Sequence, residues 1–411
     1  MSESNLHIVV VGAGQAGADC VNALRQQGFA GRLSLIGDEP RLPYRRPPLS
    51  KACLLGQAGV DSLGLRSAAA WEKLDVEMRM GQSVEHLDRA ARQLQLLDGS
   101  RLDYDRLVLA TGSRARRWTL PGGDRSNVHT LRSIDDLQRL LPAWQAGRRL
   151  VVIGGGYIGL EVAAAASQHG LKVTVVENQP RLLARVAVPL LSDFYLQLHQ
   201  DHGVEFELGQ GVAHLLGEPE VTAVELSDGR QLECDLVVVG IGSLPNTSLA
   251  SESGLEVNDG IVVDAGMQTS DPAVWAIGDC CRHFNTFYQA RMRMESVPAA
   301  QEQAKVAAAT ILGKAPPAHA VPWFWSDQYD VKLQMIGQPV AEAELVVRGD
   351  PAGGDFSLCQ VQQGIIVAAA TLNRTQEFVA LRRLVGERIA VDAVALADPE
   401  LALKSLLPSA V

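Results

Sequence analysis

LHIVVVGAGQAGADCVNALRQQG, residues 6–28, is the stretch that decides the fold. It reads as a strand of β-branched residues, a glycine turn and an Ala-rich helix that ends near Gly28, a residue type that commonly caps a helix C-terminus. Gly12, Gly14 and Gly17 form G-x-G-x-x-G between the strand and the helix. In this motif the first glycine permits the turn, the second lets the backbone approach a pyrophosphate, and the third allows close helix packing. The segment therefore predicts a βαβ unit that binds a dinucleotide at the positive end of the helix dipole.

A second stretch of the same design, RRLVVIGGGYIGLEVAAAASQHG, occupies residues 148–170. Gly154, Gly156 and Gly159 repeat the fingerprint, again between a β-branched strand and an Ala-rich helix. The chain is therefore expected to hold two βαβ units and not one repeated solenoid module.

Each unit carries an acidic residue where the strand after its helix is expected to end. Asp38 takes this place in the first unit and Glu177 in the second. Such a carboxylate accepts hydrogen bonds from ribose hydroxyls, and at the second site it would also repel a 2′-phosphate, which favours NADH over NADPH. Arg181 and Arg185 follow closely and leave open the opposite interpretation, in which an arginine accommodates that phosphate.

Glycine-ended strands mark where the chain is expected to pass between domains. One ends at residues 110–112 and the other at residues 240–242, so that they bracket the second βαβ unit as an inserted domain. After Trp323 the dinucleotide pattern stops, and alternating apolar strands such as FSLCQVQQGIIVAAAT precede the amphipathic stretch EFVALRRLV. The predicted fold is α/β, with two Rossmann-like dinucleotide-binding domains plus a smaller α+β C-terminal domain. The predicted boundaries are 1–112 with 244–322, then 113–243, then 323–411.

The composition describes a folded protein of several domains. The chain has 411 residues, of which 47% are hydrophobic and 20% charged, and a typical domain has only ~100–200 residues. The net charge of −10 argues against nonspecific binding to nucleic acid or to an anionic membrane. No segment approaches the ~18 apolar residues of a spanning helix, and the N-terminal residues favour a strand over a signal peptide. We expect a cytoplasmic protein that binds neither membrane nor nucleic acid.

The cysteines indicate neither a metal site nor a redox-active disulfide. No C-x-x-C occurs in the sequence. They are expected to be the reduced thiols of a cytosolic chain. The cysteines are Cys20, Cys53, Cys234, Cys280, Cys281 and Cys359.

Motifs outside the glycine turns resemble those of known flavoproteins. Ala-Thr-Gly at 110–112 followed by TLPG, and Gly-Asp at 278–279 after a short apolar strand, are similar to the marks of the glutathione-reductase superfamily. In that superfamily the N-terminal site holds FAD and the inserted site holds the nicotinamide dinucleotide. A closer resemblance, to the ferredoxin reductases of bacterial oxygenase systems, spans almost the whole chain. It rests on PYRRPPLSK (43–51), GGGYIGLEVA (154–163), MQTSDPAVWAIGDC (267–280), ESVPAAQEQA (295–304) and, most specifically, PWFWSDQYDVKLQMIG (322–337).

The resemblance implies which residues hold the cofactors. For FAD it implies Ala16 in the pyrophosphate turn, Asp279 on the ribitol chain and backbone of Val297 at the isoalloxazine. The other FAD contacts that it implies are Gly12, Gly14, Gly17, Asp38, Arg46, Lys51, Val84, Thr111, Gly112, Arg132 and Trp325. For NAD it implies Gly154, Gly156, Tyr157, Ile158, Gly159 and Glu177. Ordinary structural roles remain open for several of these residues, such as a helix N-cap for Asp279 and core packing for Trp325 and Tyr157.

Lys51 and Glu161 are the candidate catalytic residues. The family pattern places them together beside the flavin, where a lysine would stabilise the reduced ring and a carboxylate would hold the lysine in position. The alternative is a buried ion pair with a structural role only.

The resemblance implies an NADH-dependent ferredoxin reductase. NADH would deliver a hydride to FAD, which requires the nicotinamide to lie against the isoalloxazine away from water. No C-x-x-x-x-C follows the first glycine motif, so an internal disulfide is not the acceptor. The implied acceptor is a two-iron, two-sulfur ferredoxin that serves a haem monooxygenase or a Rieske dioxygenase. Docking of an acidic ferredoxin would need a local basic patch, for which Arg291, Arg293 and Lys332 are candidates.

Two other functions could use the same two nucleotide sites. One is an NADH oxidase, a peroxidase or a rubredoxin reductase; a peroxidase needs a reactive cysteine at the flavin, and Cys53 is the nearest in sequence. The other is a redox-sensing interaction protein of the apoptosis-inducing-factor type, in which NADH binding changes partners and turnover is slow.

Overall fold

The helices and strands follow the glycine-punctuated pattern of the sequence. A computed structural model describes residues 5–318 and 320–408. The α-helices are α1 Gln15–Gln26, α2 Ala68–Glu72, α3 Ile134–Leu140, α4 Tyr157–Gln168, α5 Pro189–Asp201, α6 Ser248–Glu252, α7 Val297–Ile311, α8 Thr375–Gly386 and α9 Ala393–Ala397. The strands are β1 His7–Val11, β2 Arg32–Gly37, β3 Glu77–Met80, β4 Val84–Asp88, β5 Gln93–Leu96, β6 Arg101–Asp103, β7 Arg106–Leu109, β8 Ser113–Ala115, β9 Val128–His129, β10 Arg149–Ile153, β11 Lys172–Glu177, β12 Glu205–Leu208, β13 Val212–Leu216, β14 Ala223–Leu226, β15 Gln231–Glu233, β16 Leu236–Val239, β17 Ser243–Pro245, β18 Ile261–Val262, β19 Val274–Ala276, β20 Cys281–Asn285, β21 Ala290–Arg293, β22 Trp323–Gln328, β23 Val331–Gly337, β24 Glu344–Asp350, β25 Asp355–Gln362 and β26 Ile365–Leu372.

The N-terminal segment that we interpreted as a strand contains β1, which begins at His7. Residues 1–4 of that segment lie outside the described residues. Within the part of the chain that the structure describes, no helix has the length and apolar character needed to cross a membrane.

The chain divides into two compact units. The first comprises the chain up to Arg45, Leu63–Arg114 and Leu244–Pro322, and the second comprises Arg46–Ser62, Ala115–Ser243 and the chain from Trp323 onward. The boundaries expected from the sequence assign residues 46–62 to the first domain and make residues 323–411 a domain of their own. That three-domain division stays a prediction.

The first unit is built on a parallel sheet of five strands in the order β3-β2-β1-β7-β19. Strand β1 lies in the middle, with Val9 opposite Ser34 of β2 and Leu107 of β7. All of β1 is buried, as expected for a parallel strand that is covered on both faces. Helices α1 and α7 pack against each other, and Leu24 and Ala304 join the strands in one apolar core.

The second unit repeats this arrangement. Its parallel sheet has the order β12-β11-β10-β16-β9, and Val151 of β10 lies opposite Thr174 of β11 and Val237 of β16. In both sheets the strand before the glycine turn is central, with the next strand on one side and a glycine-ended strand on the other. The predicted pair of Rossmann-like units is therefore confirmed.

Residues after Trp323 form an antiparallel sheet of five strands in the order β22-β23-β26-β25-β24. The stretch FSLCQVQQGIIVAAAT supplies β25 and β26, which pair with Cys359 opposite Ala369. Helix α8 packs on this sheet, so the predicted α+β character of the C-terminal part is confirmed. Phe356 of this sheet shares a core with Leu160 of α4 and Tyr195 of α5, which explains why the sheet belongs to the second unit.

Each glycine turn is held by a very close contact between the helix and the end of its strand. A Cβ atom at Gly17 would lie 1.9 Å from the carbonyl oxygen of Gly12, and one at Gly159 would lie 2.0 Å from that of Gly154. The middle glycines differ, because a Cβ atom at Gly14 or Gly156 would meet nothing within 4 Å.

Replacement of Gly17 by alanine is expected to lower the thermal stability of the flavin-free protein. The added methyl group overlaps backbone at Gly12, and overpacking of this kind costs roughly 1–3 kcal/mol. Gly14→Ala is the matched control, since its methyl group enters open space and an alanine N-cap costs only about 0.5 kcal/mol. The measurement is the unfolding temperature by circular dichroism, and equal temperatures for the two variants would contradict the close contact.

Candidate functional site

The first glycine turn has a shape that a bound ligand explains. Gly12 has φ +113°, and a Cβ atom there would lie 2.0 Å from the carbonyl oxygen of Ala110, so only glycine fits. Gly14, the N-cap of α1, has the ordinary extended φ of −82°, and no protein contact requires a glycine there. Approach of a pyrophosphate to the backbone would account for Gly14, and this contact stays a prediction. Ala16 is buried in the first turn of α1, next to Gly278.

The second glycine turn has the same geometry. Gly154 has φ +111°, and a Cβ atom there would lie 2.5 Å from the carbonyl oxygen of Gly240. Gly156 is the N-cap of α4 with φ −83° and open space around it. Ile158, in the first turn of α4, is 48% exposed. Because a glycine N-cap has no side chain, both helices present backbone N–H groups that suit a phosphate.

The two acidic residues lie at the ends of their strands. Asp38 follows β2, is exposed, and accepts a hydrogen bond from the Glu39 N–H at 3.1 Å. Glu177 ends β11, and its two carboxylate oxygens accept hydrogen bonds from the N–H groups of Gly155 at 2.7 Å and Gln179 at 2.8 Å. The glycine turn thus orients Glu177, and each of its oxygens keeps a second lone pair for a ribose hydroxyl.

Arg181 is engaged within the protein. Its Nη1 donates to the carbonyl oxygen of Ala187 and to Ser192 Oγ, both at 2.8 Å, and its Nη2 donates to the carbonyl oxygen of Ala184 at 2.8 Å. Arg185 is exposed. These hydrogen bonds give Arg181 a structural role and weaken the interpretation in which it binds a 2′-phosphate.

The Gly-Asp motif forms a short 3-10 turn, Gly278–Cys280, after β19. Ser113 Oγ donates to Asp279 Oδ2 at 2.8 Å, and the Gly278 N–H donates to Gln303 Oε1 of α7 at 2.6 Å. The N-cap of this turn is Ile277, so Asp279 is not its N-cap. Asp279 is instead held by a hydroxyl group next to the other dinucleotide-binding elements of the first unit.

Thr111 and Asn246 lock the loop that follows β7. Thr111 Oγ1 donates to the carbonyl oxygen of Asn246 at 2.6 Å, and Asn246 Nδ2 donates to that of Thr111 at 2.9 Å. Gly112 has φ +65° and accepts a hydrogen bond from the Asn246 N–H at 2.9 Å. This reciprocal bonding fixes the turn that the Ala-Thr-Gly motif predicted.

Four further predicted FAD contacts lie at element ends or loops. Val84 is the first residue of β4, and Val297 is the first residue of α7, which Ser296 caps. In the second unit, Arg46 Nη1 donates to the carbonyl oxygen of Arg132 at 2.8 Å, so the structure brings these two predicted residues together. Their contacts with a ligand stay predictions.

A buried carboxylate brings both candidate catalytic residues together in the second unit. Glu161 of α4 is 4% exposed, and Lys51 Nζ lies 2.7 Å from its Oε2. Ser50 Oγ donates to the same oxygen at 2.5 Å, and Ser326 Oγ of β22 donates to Oε1 at 2.7 Å. Burial of an ionised carboxylate is costly unless donors replace the lost water, and three donors do so here. The carboxylate is thereby fixed and in turn fixes the Lys51 ammonium.

Two predicted aromatic residues pack among other aromatic residues. The Tyr157 ring lies edge-on to Phe324 with 4.5 Å between ring centroids, and its hydroxyl lies 3.0 Å from Met335 Sδ. Burial raises the pKa of the Tyr157 phenol, which therefore stays protonated. Trp325 is half-buried, with 5.8 Å between its ring centroid and that of Trp323. These contacts show that Tyr157 takes part in packing, and its contact with the nicotinamide dinucleotide stays a prediction.

The cysteines are buried free thiols, as the sequence predicts, and all six lie among the described residues. Burial raises the pKa of the Cys53 thiol and raises that of Cys20, Cys234 and Cys359 to about 12. A thiol with a raised pKa is protonated and unreactive at neutral pH. Cys53 therefore lacks the activated state that a peroxidatic cysteine needs.

Of the three basic residues suggested for docking an acidic ferredoxin, two are exposed and one is paired with carboxylates. Arg293 lies 3.3 Å from Asp259 and also contacts Glu295, so two carboxylates balance its charge. Arg291 is exposed and donates to the carbonyl oxygen of Val263 at 2.7 Å, and Lys332 is exposed on β23.

Three serines that contact predicted residues were missed by the sequence reasoning. Ser50 and Ser326 lie within the quoted motifs, next to Lys51 and Trp325, and that adjacency was the signal that could have found them. Ser113 is 166 positions from Asp279, and no local pattern indicates their hydrogen bond.

Comparison with known proteins decides the family. The model described as pyridine nucleotide-disulphide oxidoreductase matches residues 6–304, and the one described as Reductase C-terminal matches residues 323–407. The chain belongs to the pyridine nucleotide-disulphide oxidoreductase family. It is an oxidoreductase of that family, and its cofactors are FAD and NAD(H), as predicted.

Full-length relatives of this family member are ferredoxin reductases. Putidaredoxin reductase of Pseudomonas putida is 41% identical over 413 residues, which cover 99% of this chain and 98% of that protein. A second relative is the ferredoxin–NAD(+) reductase component of the anthranilate 1,2-dioxygenase system of Burkholderia cepacia. It is 41% identical, and the alignment covers 97% of this chain and 98% of that protein. A chain in the crystal structure of the covalent putidaredoxin reductase–putidaredoxin complex superposes with a TM-score of 0.94 at 42% identity, and 98% of each chain is covered. The resemblance stated from the motifs is confirmed.

Gly156→Ala is expected to weaken NADH binding without reducing the FAD content. A methyl group between the phosphate and α4 should raise the Kd for NADH at least tenfold, a loss of about 1.4 kcal/mol or more. Gly14→Ala is the reciprocal variant and should lower FAD content. Flavin absorbance per protein and NADH titration of each variant measure the two effects, and loss of FAD from Gly156→Ala would contradict the assignment of the two turns.

Proposed function

We propose that this protein is an NADH-dependent ferredoxin reductase that supplies electrons to an oxygenase. The observation that carries the proposal is the full-length similarity to such reductases, which extends through residues 323–407, outside both dinucleotide folds. When bound, FAD would supply the chemistry that converts a two-electron hydride transfer from NADH into single-electron transfers to the ferredoxin. One NADH and two oxidised ferredoxins would give NAD+, a proton and two reduced ferredoxins.

NADH is the proposed donor over NADPH because of the site around Glu177. The carboxylate is oriented by two backbone N–H groups, so it can accept from ribose hydroxyls and repels a 2′-phosphate. Arg181, the nearer of the two following arginines, is occupied by hydrogen bonds to its own loop.

Lys51 is proposed as a catalytic residue and Glu161 as its partner. Lys51 would place a positive charge where reduction adds negative charge, and a fixed cation does this without reorganising during the reaction. Glu161 provides that fixation, since its oxygens are held by Ser50 and Ser326 at 2.5 and 2.7 Å. The Lys51 side chain is 18% exposed, so its ammonium is partly accessible.

The remaining FAD-binding residues keep the roles that the resemblance implies. Asp38 would bind the ribose, Asp279 the ribitol chain, and Val297 the isoalloxazine through its backbone. The others in this proposal are Arg46, Val84, Arg132 and Trp325.

The proposed partner is a two-iron, two-sulfur ferredoxin, and the proposed compartment is the cytoplasm. The six free thiols fit a reducing compartment. Since Arg293 is balanced by Asp259 and Glu295, the exposed Arg291 is the better candidate for a docking contact in the first unit. Lys332, also exposed, is a separate candidate in the second unit.

The alternatives have less support. A peroxidase would need an activated cysteine, whereas Cys53 is 5% exposed and its pKa is raised by burial. A redox-sensing interaction protein would share both nucleotide sites, and the rate of turnover with a ferredoxin separates it from a reductase.

Reduction of a panel of acceptors tests the proposed function. With NADH, the purified protein should reduce at least one two-iron, two-sulfur ferredoxin rapidly, and kcat/KM with NADPH should be at least tenfold lower, about 1.4 kcal/mol of discrimination. The panel includes rubredoxin, oxygen and peroxide as controls. Turnover with oxygen or peroxide alone would replace the reductase with an oxidase or peroxidase.

Salt is expected to slow the ferredoxin half of the reaction and to leave the NADH half nearly unchanged. Raising ionic strength from about 0.01 to 1 M shortens the Debye length from roughly 30 to 3 Å, which weakens steering between charged proteins. Stopped-flow traces of flavin reduction by NADH and of ferredoxin reduction measure the two halves separately. Equal sensitivity of both would rule out electrostatic docking.

A further inference from the structure

A continuous chain of hydrogen bonds leads away from Glu161 through the C-terminal sheet to helix α5. Ser326 Oγ bonds Glu161 Oε1 at 2.7 Å, and Gln328 Nε2 bonds Ser326 Oγ at 3.2 Å. Gln328 Oε1 lies 2.8 Å from His199 Nε2, and His199 Nδ1 lies 3.2 Å from the Tyr329 hydroxyl. Ser326, Gln328 and His199 are at most 1% exposed. All five side chains belong to the second unit.

The chemistry of each group gives the chain a single direction. Gln328 Oε1 can only accept, so His199 Nε2 carries the imidazole proton and Nδ1 accepts from Tyr329. Gln328 Nε2 donates to Ser326 Oγ, which leaves the single Ser326 hydroxyl proton for Glu161. Every proton in the chain therefore points toward the carboxylate.

Burial keeps this direction over the working pH range. It lowers the pKa of His199 to about 4, so the imidazole stays neutral and retains one donor and one acceptor. It raises the pKa of Tyr329 to about 12, so the phenol keeps the proton that it donates. The Tyr329 ring is further held by stacking on the exposed His202, with 3.7 Å between ring centroids.

We propose that Ser326, Gln328 and His199 are positioning residues for the Lys51–Glu161 pair. Aligned hydrogen bonds polarise one another, so the chain strengthens the bond from Ser326 and fixes the Glu161 carboxylate in one orientation. Glu161 then fixes the Lys51 ammonium at 2.7 Å. The inference rests on the proposed function only for what Lys51 does at the flavin; the chain itself is a property of the protein.

A matched control exists in the same sheet. Ser357 of β25 is 0% exposed, as is Ser326, and its Oγ donates to Glu377 Oε2 at 2.6 Å. Ser357→Ala therefore removes a hydrogen bond from a buried serine to a carboxylate without changing a member of the chain.

The first test reads the His199 tautomer in the holoenzyme by 15N NMR of histidine-labelled protein, with the resonances assigned from a His199→Gln variant. The expected spectrum shows a proton on Nε2 and none on Nδ1 throughout neutral pH. A proton on Nδ1 would reverse the donor at Gln328 and overturn the directed chain.

The second test compares variants by the FAD midpoint potential and by the rate of flavin reduction by NADH. Lys51→Met is the variant to which the others are compared, because loss of the lysine cation should move the FAD midpoint potential to more negative values. Ser326→Ala should shift the potential in the same direction by a smaller amount and slow flavin reduction roughly tenfold, and Gln328→Leu should do so less. Ser326→Thr, which keeps the hydroxyl, should restore both values toward the wild type.

Ser357→Ala should leave the potential and the rate at wild-type values. The positioning role is overturned if Ser326→Ala and Ser357→Ala have the same midpoint potential and the same rate of flavin reduction, whether both are unchanged or both are shifted. If Lys51→Met changes neither the midpoint potential nor the reduction rate, the role proposed for Lys51 is refuted. The His199 tautomer would then test the directed hydrogen-bond chain independently of that role.

Discussion

Each dinucleotide-binding unit depends on contact between a helix and its preceding strand at a distance that only glycine allows. At Gly17 and Gly159 the helix lies so close to the turn that a Cβ atom would overlap a carbonyl oxygen at about 2 Å. This contact sets the position of the helix N-terminus, where the N-cap glycine, Gly14 in α1 and Gly156 in α4, faces open space. It also places Glu161, two residues beyond Gly159, so the position of the buried carboxylate follows from the same constraint.

The buried carboxylate of Glu161 is a charged group whose loss of solvation must be offset within the second unit. Removal of a charge from water is unfavourable unless hydrogen bonds replace the lost solvation, and here donors come from a proline-rich loop and from β22. Ion pairs of this kind contribute little net stability, but they hold groups in fixed geometry. A lysine held this way is suited to stabilising charge at one particular point.

Much of the fold could be predicted from the sequence because its signals are local. Strand, turn and helix in residues 6–28 and 148–170 follow from residue pattern and glycine chemistry within a few positions. The order β22-β23-β26-β25-β24 could not be predicted, because pairing depends on contacts between segments that are far apart. The same holds for Glu161, which meets Ser50 and Ser326 across 111 and 165 positions. The charge balance at Arg293 is only half visible in the sequence, because Glu295 lies two residues away but Asp259 lies 34 residues away.

The glycine N-caps of α1 and α4 leave the first turn of each helix without a side-chain hydrogen bond. A glycine cannot cap the first turn with a side chain, so a bound cofactor phosphate would complete each helix. A ligand that binds only the native state stabilises it by about 2.7 kcal/mol at one hundred times its Kd. Bound cofactors would therefore raise the free energy of unfolding of this enzyme as well as supply its chemistry, so protein without them would unfold and be degraded more readily.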